Sequence, residues 1–168
     1  MKIAKYFYKM VIRKIEQKDN QALGEIVQQV LTELGAPKVG TAYADPHLFS
    51  LFETYNKPTA IYFVLENEGK VVGGAGVDQL ENCNENICEL QKMYFLPEAR
   101  GQGFASKMMS ICLQAAKDFG YEKCYLETMP YMGNAQALYK KVGFTYLDKP
   151  MGDTGHSSCP VWMIKELA

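Results

Sequence analysis

The sequence contains no apolar run close to the roughly 20 residues that a membrane-spanning helix needs. No membrane partner is expected. Charge of either sign also fails to gather into a block: 18 basic and 19 acidic side chains are interspersed along the chain, for a net charge of −1. Without a basic stripe, nucleic acid has no electrostatic footing. Cys83, Cys88, Cys112, Cys124 and Cys159 are odd in number and include no CxxC pair, which fits reduced thiols better than a disulfide framework. A zinc site from Cys83, Cys88 and His156-x-x-Cys159 would have neither spacing of a standard knuckle, so no metal is expected. Residues 1–9 carry charges throughout and lack a secretory apolar region. These absences make a cytoplasmic protein the expectation. Repeats, low-complexity tracts and linkers are missing too, so residues 1–168 are expected to form a single domain.

What is present suffices for a core: the chain is 48% hydrophobic and 12% aromatic, well outside disordered compositions. Residues 11–15 read as a strand. Leu23, Ile26, Val27, Val30, Leu31 and Leu34 recur at helical spacing behind Asp19 or Asn20 as cap, with Gly35 and Pro37 as the stop. Asp45-Pro46 reads as a cap and first turn of a second helix, reaching about Tyr55. Strands over 60–65 and 70–77 flank the hairpin turn Asn67-Glu68-Gly69. A strand over 87–95 stops near Pro97, and a helix over 103–119 closes at Gly120. A strand over 123–128, a helix over 134–142 closed by Gly143, and strands over 144–147 and 161–165 complete an α/β order of βααβββαβαββ.

The stretch Arg100-Gly101-Gln102-Gly103-Phe104-Ala105 joins the end of one strand to the start of a helix. The first amides of a helix lack intrahelical partners and sit at the positive end of its dipole, so a diphosphate is attracted there. Gly101 and Gly103 allow close backbone approach, and Arg100 supplies a cation. No Gly-Lys-Ser/Thr follows, and Ser106 stands where a dinucleotide fingerprint has its third glycine.

Two longer segments carry a family resemblance. Leu90-Gln91-Lys92-Met93-Tyr94-Phe95-Leu96-Pro97-Glu98-Ala99-Arg100-Gly101-Gln102-Gly103 and Asn134-Ala135-Gln136-Ala137-Leu138-Tyr139-Lys140-Lys141-Val142-Gly143-Phe144 resemble the acyl-CoA signature and the Tyr-x-x-x-Gly-Phe helix of the GCN5-related N-acetyltransferases (GNAT). Gly73-Gly74-Ala75-Gly76 is a weaker third match. The resemblance covers nearly the whole chain. It implies a GNAT fold with a mixed, mostly antiparallel sheet of about seven strands, splayed at strands 4 and 5, and about four helices. It further implies acetyl-CoA as acyl donor, held by the main chain of Met93, Tyr94 and Phe95 and by the Arg100–Ala105 turn: Arg100, Gly101, Gln102, Gly103, Phe104 and Ala105.

The implied reaction moves an acetyl group to a primary amine, of a small molecule or of a protein or peptide, by direct attack in a ternary complex. A free ammonium with pKa of about 10.4 must first lose a proton, and the leaving thiolate gains from a donor. Tyr139 occupies the position of that general acid, with covering the helix end as its plain alternative. Asn134 starts the same helix, as cap or as pantetheine contact. Glu89 is the candidate acceptor of the amine proton, and Glu127 competes with it. His156, in the loop Met151-Gly152-Asp153-Thr154-Gly155-His156-Ser157-Ser158-Cys159, titrates near neutrality and is a further candidate for base or substrate contact. Tyr43, Tyr131 and His156 are candidate walls of the acceptor pocket, beside residues 40–45, while Trp162 is expected in the core. The alternative function is a non-catalytic acyl-CoA-binding sensor. Many relatives are dimers, and Tyr6-Phe7-Tyr8 is a candidate packing surface for a homodimer.

Overall fold

The computed structural model describes residues 10–168; the Tyr6-Phe7-Tyr8 stretch lies outside them. Strands β1 (Met10–Lys14), β2 (Ile61–Asn67), β3 (Lys70–Gln79), β4 (Ile87–Phe95), β5 (Lys123–Thr128), β6 (Thr145–Leu147) and β7 (Val161–Glu166) form one sheet in the order β1-β2-β3-β4-β5-β7-β6. Helices α1 (Asn20–Glu33), α2 (Leu51–Tyr55), α3 (Phe104–Asp118) and α4 (Gly133–Lys141) complete the expected order. All pairings are antiparallel except β4–β5.

That parallel pair is the feature that positions the site. Only Ile87–Lys123, Cys88–Cys124 and Glu89–Tyr125 are in register. From Leu90 onward β4 has no ladder partner on its β5 side, and the sheet opens into a gap. On its other edge β4 stays bonded to β3, but with a bulge: Gly76 faces Gln91 and Gly74 faces Tyr94, so Lys92 and Met93 together oppose Ala75. Lys92 accordingly takes φ +49°, uncommon for a residue with a Cβ and found where a fold holds a functional feature in place. The Tyr62 hydroxyl donates to the Lys92 carbonyl at 2.8 Å, bracing the bulge from β2. The glycines of β3 are required here. A Cβ at Gly73 would run into the Phe95 ring and approach the Tyr94 carbonyl at 2.8 Å, and one at Gly76 would meet Tyr62 at 2.6 Å.

Three of the helices end in the same way. In α1 the Ala36 amide donates to Leu31 and that of Gly35 to Thr32; in α3 Tyr121 donates to Ala116 and Gly120 to Lys117. In α4 Phe144 donates to Tyr139 and Gly143 to Lys140. Gly35, Gly120 and Gly143 all have positive φ, as this double hydrogen bond demands. The second helix is shorter than the sequence suggests. Asp45 caps no helix; residues 42–44 form a 3₁₀ turn and α2 begins only at Leu51. Asp45 is drawn off by charged partners far along the chain. Met108, Met109, Cys112, Cys88, Cys124, Leu126 and Met163 are fully or nearly fully buried in the main core. Among the described residues no helix is long and apolar enough to cross a membrane.

Candidate active site

Three adjoining cavities run through the sheet. The largest, about 760 Å³, lies between the Arg100–Ala105 turn and α4, and is lined by Met93, Tyr94, Phe95, Arg100, Gly101, Gly103, Phe104, Ala105, Asn134 and Tyr139 among others. A narrow one of about 40 Å³ occupies the gap between β4 and β5 and shares Met93, Tyr94, Met132 and Tyr139 with the first. The third, about 220 Å³, lies under the 150–159 segment and shares Glu127 and Cys159 with the gap. The path thus runs from a helix N-terminus, between two strands, to a chamber on the far side.

The large cavity brings together every expected donor-binding residue except Gln102. Gly101 and Gly103 have φ of +71° and +82°. Gly103 precedes the first turn of α3, no side chain caps it, and the Lys107 amide is bonded to the Gly103 carbonyl at 3.2 Å. The Phe104, Ala105 and Ser106 amides therefore have no intrahelical acceptor. Their joint partial charge suits an anion. Gln102 is turned back, its amide donating to the Glu98 carbonyl at 2.7 Å. Arg100 is less free than its sequence position suggests. Its Nε donates to the Phe95 carbonyl at 2.9 Å and its terminal nitrogen reaches Glu33 at 3.3 Å. The Phe95 carbonyl is thereby occupied, leaving Met93 and Tyr94 as the main-chain edge along the gap. Asn134 makes no capping hydrogen bond; Met132 precedes the helix and Asn134 stands exposed within its first turn.

Tyr139 lines both the large cavity and the gap. Its ring is buried and packs edge-on against Phe144 at 6.0 Å between centroids. Burial pushes the phenol up to about 12, so it carries its proton throughout the physiological range. Among the described residues its hydroxyl has no hydrogen-bond partner.

The carboxylates divide. Glu89, only 4% exposed, sits at the last rung joining β4 to β5. Its Oε2 accepts from Gln91 Nε2 at 2.7 Å, and Gln91 Oε1 accepts from the Tyr55 hydroxyl at 2.5 Å. Burial raises Glu89 to about 7 against the Gln91 hydrogen bond, with the nearby charge of Glu127 adding to the rise. Glu89 lines none of the three cavities. Glu127 lines two of them and accepts from Thr154 Oγ1 at 2.7 Å and from the Tyr125 hydroxyl at 3.1 Å. It too is raised by burial, which outweighs those hydrogen bonds.

His156 lines the chamber, and its Nε2 lies 2.8 Å from Asp45 Oδ1. The other oxygen of Asp45 meets Lys92 Nζ at 2.7 Å, so one carboxylate joins the bulge to the 150–159 segment. Burial works against charge on His156, but the Asp45 hydrogen bond and charge prevail and its pKa rises. Asp45 is lowered, the His156 and Lys92 contacts overcoming its own burial. Two expected acceptor walls are misplaced. Tyr43 lines none of the three cavities and faces Lys38 Nζ at 5.1 Å, while Tyr131 lines the donor cavity, its hydroxyl toward Met129 sulfur. Trp162, expected in the core, is partly exposed and forms a chamber wall. The sequence gives Lys92, Gln91 and Tyr55 no role in a site, since nothing local marks a strand lysine or glutamine, or a tyrosine at a helix end, as part of one.

The family model described as Acetyltransferase (GNAT) family matches residues 27–144. The chain is 42% identical over 158 residues to an uncharacterized N-acetyltransferase of Escherichia coli (strain K12), YjgM, covering 94% of this chain and 95% of that protein. It is 31% identical over 149 residues to an IAA acetyltransferase of Azospirillum brasilense, covering 86% and 93%. A crystal structure of a GNAT-family acetyltransferase from Staphylococcus aureus Mu50 superposes with TM-score 0.84 at 19% identity, over 95% of this chain and 99% of that one. A putative acetyltransferase from Salmonella typhimurium, solved with acetyl-CoA, superposes with TM-score 0.76 at 19% identity, over 95% of both chains.

Proposed function

This chain belongs to the acetyltransferase (GNAT) family, and from that premise we propose that it transfers an acetyl group from acetyl-CoA to a primary amine by direct attack in a ternary complex. The observation that carries this reading is the continuity of the three cavities: a thioester seated in the β4–β5 gap would meet the amine where Glu127 separates the gap from the chamber. The diphosphate is assigned to the free amides of α3 and the pantetheine arm to the Met93–Tyr94 edge, which offers unpaired main-chain groups.

Each residue then has a role. The amine arrives as ammonium and gives its proton to a carboxylate. Glu127 faces the incoming nitrogen, while Glu89 acts one step behind it, through water, with Gln91 and Tyr55 fixing its orientation. The free nitrogen attacks the thioester carbonyl, the C–N bond forms and the C–S bond breaks. Tyr139 protonates the departing sulfur, and the second proton, shed by the attacking nitrogen as the amide forms, restores the phenol; the oxyanion draws on main-chain amides near Tyr94. His156 with Asp45 holds the chamber wall. All five cysteines are free thiols, in keeping with a reducing compartment, and the activity is assigned to the cytoplasm.

Release of CoA, followed across a panel of primary amines, tests the reading. Acetyl-CoA is expected to raise the melting temperature and at least one amine to stimulate CoA release. A protein that acetyl-CoA neither stabilises nor acetylates through would overturn the proposal.

A further inference from the structure

The 150–159 segment does not hang free over the chamber. The Ser158 amide donates to the Gly40 carbonyl at 2.9 Å, and Ser158 Oγ to the Val39 carbonyl at 3.0 Å. His156 adds its contact with Asp45. On the opposite side the Asp153 amide donates to the Glu81 carbonyl at 3.0 Å. Contact at Gly40 is so close that a Cβ there would lie 2.5 Å from Ser157 Oγ. The loop before α2 and the connection before β7 are thus bonded to each other beside the chamber.

What this arrangement leaves is a chamber of about 220 Å³, open to solvent on one side. Glu127 and Asp153 are acidic, the only cationic candidate is His156, already paired with Asp45, and the lining includes no Lys or Arg. Pro150, Met151 and Trp162 supply an apolar wall. A carboxylate entering beside Glu127 and Asp153 would meet like charge, with no Lys or Arg in the lining to pair with it.

Resting on the acetyltransferase reading above, we infer that the acceptor is a small free amine with a compact apolar body and no carboxylate beside the amine, neither an amino acid nor a protein or peptide amine. The ammonium enters toward Glu127 and the apolar body lies against Trp162. Size, charge and the hydrogen-bonded bridge point to the same class.

The test compares phenethylamine with phenylalanine, which differs by one carboxylate, with the peptide Phe-Gly-Gly-Ser, and with a lysine-bearing peptide, using the full chain and acetyl-CoA. We expect kcat/KM for phenethylamine to exceed that of each of the other three by roughly tenfold or more. Trp162→Ala should raise the KM for phenethylamine while leaving the KM for acetyl-CoA in place. Asp153→Asn should narrow the gap between phenethylamine and phenylalanine. Equal or better turnover of phenylalanine, or of either peptide, overturns this inference and leaves the acetyltransferase reading intact. Stabilisation by acetyl-CoA with no transfer to any of the four overturns this inference alone, and CoA release across the wider amine panel then decides the acetyltransferase reading.

Discussion

Phe144 closes the end of α4 onto Tyr139: its amide donates to the Tyr139 carbonyl at 3.0 Å and its ring packs against the Tyr139 ring at 6.0 Å between centroids. The Tyr-x-x-x-Gly-Phe spacing is therefore a helix stop that also fixes a side chain. Gly143 supplies φ +100°, Phe144 makes the apolar contact that accompanies such a stop, and the phenol is left pointing into the cavities.

Tyr139→Phe keeps this packing and removes only the proton donor. The expected result is a fall of about 10²-fold in kcat with little change in the KM for acetyl-CoA or in melting temperature. Single-turnover kinetics measures it. An unchanged chemical step would take the general-acid role away from Tyr139.

Glu89 titrates near pH 7 in the folded protein, above its ordinary 4.5. As a base it works ionised, so the acid limb of the kcat/KM profile should rise through about pH 7 and be lost in Glu89→Gln. For stability the sign is opposite. A raised carboxyl stabilises fully below pH 4.5, and that contribution is lost as pH rises through 7. Glu89→Gln should therefore be more stable than the parent at pH 8, by roughly 1–3 kcal/mol, in urea titrations.

The phosphate turn depends on two left-handed glycines. Gly101→Val adds a side chain at φ +71°, which costs about 1–2 kcal/mol of strain and places bulk where the backbone must approach the ligand. Calorimetry with CoA should show affinity weakened by roughly tenfold or more. Unchanged affinity would move the diphosphate elsewhere.

Arg13 holds the first strand to the rest of the fold. It contacts Asp19 at 2.7 and 2.9 Å and Glu66 at 2.7 Å, with Asp19 only 2% exposed. Arg13→Met leaves the buried Asp19 carboxylate with no cation and only the Glu16 amide at 2.8 Å, and should cost about 3 kcal/mol at pH 7. Burial opposes ionisation of Asp19, but Arg13 outweighs it and lowers the pKa below 3.8. The stabilisation is thus present above pH 3.8 and lost as pH falls through the lowered value, so the difference between parent and variant should shrink in acid.

Asp45→Asn should loosen the 150–159 segment. Hydrogen exchange over those residues is expected to quicken several-fold at pH 6, where His156 and Asp45 in the parent are both charged. Because His156 is raised above 6.5, its contribution is full below that pH and is lost as pH rises through the raised value. The variant should lose this pH dependence.

Periodicity and glycine stops reveal most of the fold in the sequence, because each such stop is a local event. The same holds for the phosphate turn, where glycine spacing and the following helix are adjacent in the chain. Asp45 shows what locality hides. Asp-Pro reads as a helix cap, yet the carboxylate joins Lys92 to His156, which lies 111 positions away. Asn134 misleads for a similar reason: a good capping residue one position inside the helix has nothing to cap. The roles of Glu89 and Glu127 depend on which faces a cavity, and that depends on where β5 parts from β4.

That parting has a mechanical consequence. Among the described residues, three residue pairs and the Glu122 amide bonded to the Asn86 carbonyl make up the main-chain seam between β4 and β5, whereas β3 and β4 alone share six pairs. Beyond that seam the two halves of the sheet are held together by the apolar core they share, Leu90 and Phe95 on one side with Leu126 and Met163 on the other. A donor lodged along the seam acts as a weld across it, so occupancy should raise the temperature at which the molecule melts.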